Sequence, residues 1–411
     1  MNRNINSLLP QGVKNFVPGE AGGFKNIEAE ILDEFSKWGY KRVITPLFEN
    51  LETINAGLNE RLRSQVMKFV DPSTGDVVAL RPDITPQIGR IVATRMSHLK
   101  EPQRLCYSGR VVRFEHESSG REREVFQAGC ELVGKKDLSA DAEIMAIAAS
   151  ALARVGFSSG LVLDIGHSGV LRAVDGIAGK HAARVRAALE MKSSRDLDAA
   201  LSSARLPGAA RSAITALTQT RNVKKVLSVM DKLPAFKTAA ANIRGITNVL
   251  DEYETGCDIC LDVCDVRSLN YYTGVTFQIL HERAPSPLIA GGRYDSLIKR
   301  YGHNTPATGF AADIEAIVKA LSGVRKASET VHFVIIPAKP SLRREAIRLG
   351  AWLRANGFQV IAESRPRPAR GAAPSSGIIT IDGPDKLRLT EPKTGRTRRF
   401  SNLEELISEG V

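Results

Sequence analysis

At 411 residues, 43% apolar and 25% charged, the chain is long enough to bury a full core and to divide into two or three domains. No stretch approaches the ~18 consecutive apolar residues of a membrane span, and Met1-Asn2-Arg3-Asn4-Ile5-Asn6 lacks the apolar centre of a signal peptide, so no membrane is expected and the cytoplasm is the expected compartment. The net charge of +12 leaves nucleic acid, phosphorylated metabolites and acidic proteins open as partners, while five cysteines, an odd number, argue against a disulfide framework.

Residues 1–25 carry turn chemistry, Leu9-Pro10-Gln11-Gly12 and Pro18-Gly19-Glu20, without sustained periodicity, and read as a mostly extended arm. Ile27, Ile31, Leu32 and Phe35 then recur at helical spacing up to Trp38-Gly39, where glycine suits a C-terminal cap. Lys41 to Pro46 reads as a strand ended by proline. Strands are expected at 66–70, 77–80, 104–114 and 125–132, with a helix from Pro86 to about Met96. Their quick succession leaves no room for the crossover of about a dozen residues that a parallel pair needs. The expected fold class is therefore α+β, an antiparallel sheet flanked by helices.

Ser139 caps a further helix that runs to Val155-Gly156. From 171 to about 253 the composition turns to Ala, Leu, Lys and Arg with almost no strand signal, broken at Leu206-Pro207-Gly208 and Leu233-Pro234, which predicts a helical insert. Strands resume at 257–264 and 274–281, and a helix at 308–322 closes a first domain of residues 1–323. Gly323 to Glu329 reads as a linker. The remainder, 330–411, predicts a small α/β domain with strands at 331–337, 359–363, 378–381 and 386–391, a helix at 342–355 and a short terminal helix.

Two features raise and then lose a functional reading. Cys257, Cys260 and Cys264 are close in sequence, but 258–265 alternates with period two as a strand does, and no second Cys-x-x-Cys knuckle or histidine pair completes a zinc site. No metal or cofactor is expected. Between Arg365 and Arg399 there are nine Lys/Arg against three Asp/Glu, yet no aromatic residues are interleaved to stack on exposed bases, so the tract reads as a solvated loop and hairpin and nucleic acid is not an expected partner.

The stretch Arg113-Phe114-Glu115, a polar turn from His116 to Gly120 and a returning strand through Gln127 make a hairpin. Spacing of two places Arg113 and Glu115 on one side, and arginine there suits bidentate recognition of a carboxylate or phosphate. Gln127 and Glu131, four apart on the returning strand, share a face and offer an amide and a carboxylate to a ligand amine. A paired Tyr271-Tyr272 and the run Gly291-Gly292-Arg293-Tyr294-Asp295 complete the set.

In order and spacing, Leu80-Arg81-Pro82-Asp83-Ile84-Thr85, Val112 to Glu115, Gly120 to Gly129, Val266 to Gly274 and Gly291 to Asp295 resemble the catalytic core of histidyl-tRNA synthetase, a class II aminoacyl-tRNA synthetase, over residues 7 to about 322. The resemblance is greatest to a paralogous family, the regulatory subunits of short-form ATP phosphoribosyltransferase. It implies a six- or seven-stranded antiparallel sheet, with Trp38 to Pro46 forming a dimer, and a small tail like a shortened anticodon-binding domain. It also implies a pocket for free histidine. Asp83, Thr85, Gln127 and Glu131 would surround the amino group, with Arg267 near the carboxylate, Tyr272 and Tyr294 on the imidazole side, and Tyr271 in support; Arg113 belongs to the same set. Partners implied are a separate ATP phosphoribosyltransferase catalytic subunit and a second copy of this chain, in a hetero-oligomer that relays histidine feedback on the first step of histidine biosynthesis.

Three departures from the synthetase pattern bear on activity. Ala316 stands where the synthetase carries an arginine for the ATP phosphates, Asp83 where it has a longer Glu, and Ser268-Leu269-Asn270 where it has Gly-Leu-Asp. Removing one preorganised charge donor from a transition-state site costs about 100- to 1,000-fold in rate. The expected protein is thus a regulatory subunit with no catalytic residues of its own; a working histidyl-tRNA ligase and a synthetase-like nucleic-acid-binding paralogue are the alternatives. Pyrophosphate exchange with histidine and ATP is expected to sit at background, and robust exchange would restore the ligase.

Overall fold

The computed structural model describes residues 9–100, 102–114, 122–265, 271–322, 332–362, 377–383, 386–391, 394–402 and 405–406. The chain forms two compact units, Met1–Ser322 and Gly323–Val411.

Helix α1 (Pro18–Lys37) begins inside the arm expected to be extended. Proline at the first turn brings a preset φ, and the Glu20 carboxylate reaches back to accept from the Val17 N–H at 3.2 Å, so the start is locally encoded. Strand β1 (Lys41–Arg42) follows, then β2 (Phe48–Asn50), helices α2 (Leu51–Gly57) and α3 (Glu60–Ser64), β3 (Lys68–Val70) and β4 (Val77–Leu80). These last three strands form a sheet of their own in the order β2-β4-β3, apart from the main one. Helix α4 (Thr85–Ile91) leads to the long hairpin of β5 (Gln103–Val112) and β6 (Glu124–Val133), then α5 (Leu138–Arg154) and β7 (Val162–His167).

The insert comprises α6 (Ser168–Ala178), α7 (Ala182–Glu190), α8 (Ser194–Ser203), α9 (Gly208–Gln219), α10 (Val223–Met230) and α11 (Lys237–Tyr253). After it come β8 (Asp258–Leu261), β9 (Val275–Leu280), β10 (Ile289–Arg293), β11 (Ala307–Asp313) and α12 (Ile314–Leu321). The helix expected over 308–322 is therefore half strand. Residues 307–313 pair on both sides, with β6 and β10, and the Asp313 carboxylate accepts from the Ala316 N–H at 3.0 Å to start the helix only there.

The main sheet has eight strands in the order β1-β5-β6-β11-β10-β9-β7-β8. Its interior is antiparallel, but each edge is a parallel pair, β1 with β5 and β7 with β8. The sheet is thus larger than expected and mixed. The β7–β8 pair explains the insert's place in the fold: parallel neighbours need a long crossover, and the whole insert is that crossover. On one face, Ala128, Cys130, Leu132, Phe310, Ala312, Phe277 and Ile279 pack into the core with α1, α5, α11 and α12. The other face meets α4 through Ile84, Ile88, Leu105, Tyr107 and Tyr294.

In the second unit, β12 (His332–Pro337), α13 (Arg343–Ala355), β13 (Gln359–Ala362), β14 (Gly377–Gly383), β15 (Lys386–Thr390) and β16 (Thr397–Phe400) make a five-stranded sheet in the order β13-β12-β14-β15-β16. Phe333, Ile335, Leu349, Leu353 and Ile379 form its core. The expected linker, the Arg365 to Arg370 loop and most of the expected terminal helix lie outside the described residues.

One buried ion pair joins the end of β10 to the start of α5. Arg293 Nε donates to both Asp141 carboxylate oxygens, at 3.1 and 3.0 Å, and Nη1 to the Lys135 carbonyl at 3.1 Å. Truncating Asp141 leaves the buried Arg293 only Asp295, at 3.2 Å and half-exposed to water, as an ionic partner, so the cost should fall toward the lower end of about 3–5 kcal/mol. Asp141→Ala should therefore lower the urea-unfolding free energy by that amount; an unchanged midpoint would show the pair to be dispensable.

Candidate functional site

Strand alternation puts Gln127, Gly129 and Glu131 on one face of β6. Register then sets them opposite Asp313, Ala311 and Gly309 of β11, and opposite Gly109, Tyr107 and Leu105 of β5. Ala290 of β10 lies beside Ala311. The centre of this face is thus glycine and alanine, and the volume that larger side chains would fill is open. Two glycines are obligatory for close approach: a Cβ at Gly309 would land on the Glu131 carboxylate, and one at Gly129 would come within 2.6 Å of the Tyr107 hydroxyl.

Above this floor lies a cavity of about 260 Å³. Asp83, Thr85, Arg113, Gln127, Tyr271, Tyr272 and Tyr294 all line it, although they come from five separate stretches of chain. Glu131 sits beneath it, completely buried, and accepts hydrogen bonds from Thr85 Oγ1 at 2.7 Å and from the Tyr294 hydroxyl. Arg267, with Ser268 to Asn270, and Glu115 lie outside the described residues. Tyr271 meets Tyr272 at 4.8 Å between ring centroids and Tyr294 edge-on at 5.7 Å, and its hydroxyl donates to Asp83 at 3.4 Å.

Among the described residues that line the cavity, Arg113 is the one cation, against Asp83 and Asp313. Burial pushes the Glu131 carboxyl up to about 8 even though two hydroxyls donate to it. Burial also raises Asp83, against the pull of Arg113, and Asp313, against the amides it caps. The Gln127 Oε1 atom is buried with no hydrogen-bond partner among the described residues. Arg113 faces Asp83 and donates from Nε to the Pro82 carbonyl at 2.8 Å. An unpartnered carbonyl oxygen beside desolvated carboxylates is a receptor for a cationic N–H donor, because an incoming ammonium supplies the missing donors and favours the charged carboxylates. The tyrosines keep their protons, since burial raises all three, so their hydroxyls can both donate and accept.

The side of the site where a phosphate clamp would stand is differently built. Ala316 is half-buried in the first turn of α12 and packs against the core. The Lys14 ammonium nearby is already paired with Glu315 and with Glu122, the latter at 3.6 Å. Among the described residues no group of three or more His, Cys, Asp or Glu is placed to hold a metal ion.

Asp313, Ala311, Ala290 and Gln65 also line the cavity, and sequence reasoning missed them. The alternation Gly309, Ala311, Asp313 was a signal for the first two, once 307–313 is taken as a strand. Gln65 carried none, because only the tertiary fold brings the end of α3 here.

These strands, this floor and this insert are the catalytic-core architecture of the histidyl-tRNA synthetase class. The sequence profile of that family, described as histidyl-tRNA synthetase, matches residues 12–317. The fold superposes on histidyl-tRNA synthetase from Nostoc sp. PCC 7120 with a TM-score of 0.80, covering 97% of both chains at 18% identity. A solved ATP phosphoribosyltransferase regulatory subunit/histidyl-tRNA synthetase from Bacillus halodurans is similar at 29% identity and a TM-score of 0.78, covering 89% of this chain and 94% of that one. In sequence, the ATP phosphoribosyltransferase regulatory subunits of Geobacter metallireducens and Geobacter sulfurreducens are 37% and 36% identical, over 86% and 97% of this chain and 83% and 95% of theirs. The chain belongs to the family of ATP phosphoribosyltransferase regulatory subunits.

The raised Glu131 value has a measurable consequence. Between its ordinary 4.5 and about 8, the folded chain holds a proton that the unfolded chain has lost. Stability from this group therefore falls as pH rises through that window, with the penalty absent below it and complete above it. Glu131→Gln removes the titration. Urea midpoints of the two proteins compared at pH 5 and pH 8 should shift in the variant's favour at the higher pH; a pH-independent difference would mean that Glu131 titrates normally.

Proposed function

We propose that this chain is the non-catalytic subunit through which free histidine controls a separate, short ATP phosphoribosyltransferase chain, in the cytoplasm and as a homodimer within a hetero-oligomer. The observation that carries the reading is the pairing of a cation-seeking amino-acid cavity with Ala316 at the phosphate position. In this reading Asp83 and Gln127 receive the histidine ammonium, with Glu131 held behind them by Thr85 and Tyr294. Arg267 and Arg113 supply positive charge for the carboxylate, and Tyr272 and Tyr294 flank the imidazole with Tyr271 in support. A zwitterion needs both signs of charge, and a tyrosine offers a ring face and a hydroxyl to the imidazole nitrogens. The names of the relatives support the partnership, since a regulatory subunit presupposes a catalytic one. The sequence carries no phosphoribosyl-pyrophosphate motif, so the transferase chemistry belongs to the partner.

Regulation of this kind is a coupling free energy, about 1–3 kcal/mol, between histidine and the partner's catalytic state. Mixing the chain with its cognate short transferase should give a hetero-oligomer on size-exclusion chromatography. It should also change the rate of phosphoribosyl-ATP formation and confer or strengthen inhibition by histidine. If the transferase neither co-elutes nor changes in rate or histidine sensitivity, the reading fails.

A further inference from the structure

Strand β7 ends at His167 and α6 begins at Ser168, so the insert leaves the sheet without a linker. That junction is bonded to the segment that carries the tyrosines. The Ser168 N–H and hydroxyl both donate to the Gly274 carbonyl, each at 2.9 Å. One turn later, Arg172 donates from Nη2 to the Thr273 carbonyl at 2.7 Å and from Nη1 to the Tyr272 carbonyl at 3.3 Å. Three successive carbonyls, of Tyr272, Thr273 and Gly274, are thus held by one helix of the insert. From the other side the Thr273 N–H donates to the Arg293 carbonyl at 2.7 Å, and the Thr273 hydroxyl accepts from the Asp295 N–H at 2.9 Å.

This segment is also a shared wall. Tyr272 and Tyr294 face the cavity described above. Behind them lies a second cavity, of about 530 Å³, lined by Arg172, Thr273, Gly274, Arg293 and Asp295, and closed by α11 through Ala239 and Asn242. Asn242 in turn lies 3.4 Å from His167 Nε2, which ties α11 to the same junction. A displacement of α6 or α11 therefore bears on the backbone that sets the tyrosine rings.

We propose that α6 couples the helical insert to the ligand cavity, with Arg172 as a positioning residue that sets the tyrosine wall through the Tyr272 and Thr273 carbonyls. The proposal rests on the reading of the first cavity as the histidine site and assigns a route for its regulation: what shifts the insert changes histidine affinity, and histidine in turn stiffens the insert, because coupling is reciprocal. Arg172 touches no ligand in this scheme. Its planar fork holds two adjacent carbonyls at once, which a lysine ammonium reproduces only in part.

The test uses the full chain, its Arg172→Met and Arg172→Lys variants, and free histidine as the probe, with calorimetry and amide hydrogen exchange as readouts. In the unsubstituted chain, histidine should slow exchange in 168–178 and 237–253 as well as in the cavity strand 124–133. In Arg172→Met the affinity should fall about two- to thirtyfold, the range for residues that modulate coupling without contacting ligand. Protection of the two insert helices should vanish while that of 124–133 persists, and Arg172→Lys should recover part of both. If Arg172→Met binds as tightly and transmits the same protection, the coupling is overturned and the histidine reading stands. If the unsubstituted chain does not bind histidine, that reading fails, and the coupling is then decided without ligand: Arg172→Met must speed exchange in 271–280 while leaving 138–154 protected, and no change there overturns it.

Discussion

The site depends on one buried carboxylate. Glu131 lies in β6, an interior strand third from one edge of an eight-stranded sheet, completely shielded from water, and a charge there is costly unless neighbours are arranged to receive it. The arrangement reaches four elements. Glycine at 309 leaves room for the carboxylate, Thr85 donates from the start of α4, Tyr294 donates from just past β10, and Gly129 admits Tyr107 beside it. Above Glu131 lie Asp83 and the Gln127 oxygen, which has no partner among the described residues; burial disfavours the charged form of both carboxyl groups, and a cation would restore it.

The sheet divides its labour by face. Leu132, Phe310, Phe277 and their neighbours build a dense aliphatic and aromatic layer under the Ala-rich α5, while the opposite side of the same strands is stripped to Gly109, Gly129, Gly309, Ala290 and Ala311. Core packing on one side gives the rigidity that a cavity on the other needs, since a site held by regular strands is more precisely placed than one held by loops. The parallel β7–β8 pair then fixes where the helical insert must attach: at the end of β7, against the segment that bears the tyrosines.

Fold likeness alone would permit a ligase, because one fold hosts many functions and the site decides among them. Here the Asp83 carboxylate, the Thr85 and tyrosine hydroxyls and Gln127 are brought to one cavity. Among the described residues near the start of α12, Ala316 offers no charge, Asp313 uses its own carboxylate to cap the helix, and Lys14 is paired with Glu315 and Glu122.

By itself the sequence determined the features that local pattern controls. The long hairpin, the insert between 171 and 253, four of the five described strands and the long helix of the tail, and Asp83, Thr85, Arg113, Gln127, Tyr271, Tyr272 and Tyr294 of the cavity lining were legible, because period, capping and motif spacing are properties of short stretches. The start of α1 at Pro18 was legible in principle through Glu20, and was masked by the turn residues around it. Only the tertiary structure decided the rest. Gly309-Phe310-Ala311-Ala312 has the small, helix-tolerant composition of a helix start, and it is a strand because β6 and β10 lie open on either side of it. Likewise Glu131 was expected at the cavity and lies beneath its floor, since its depth depends on a missing Cβ on the neighbouring strand. Asp313 joins the site for the same reason: it faces Gln127 through a register set by pairing across the sheet, and no local property of either segment encodes that register.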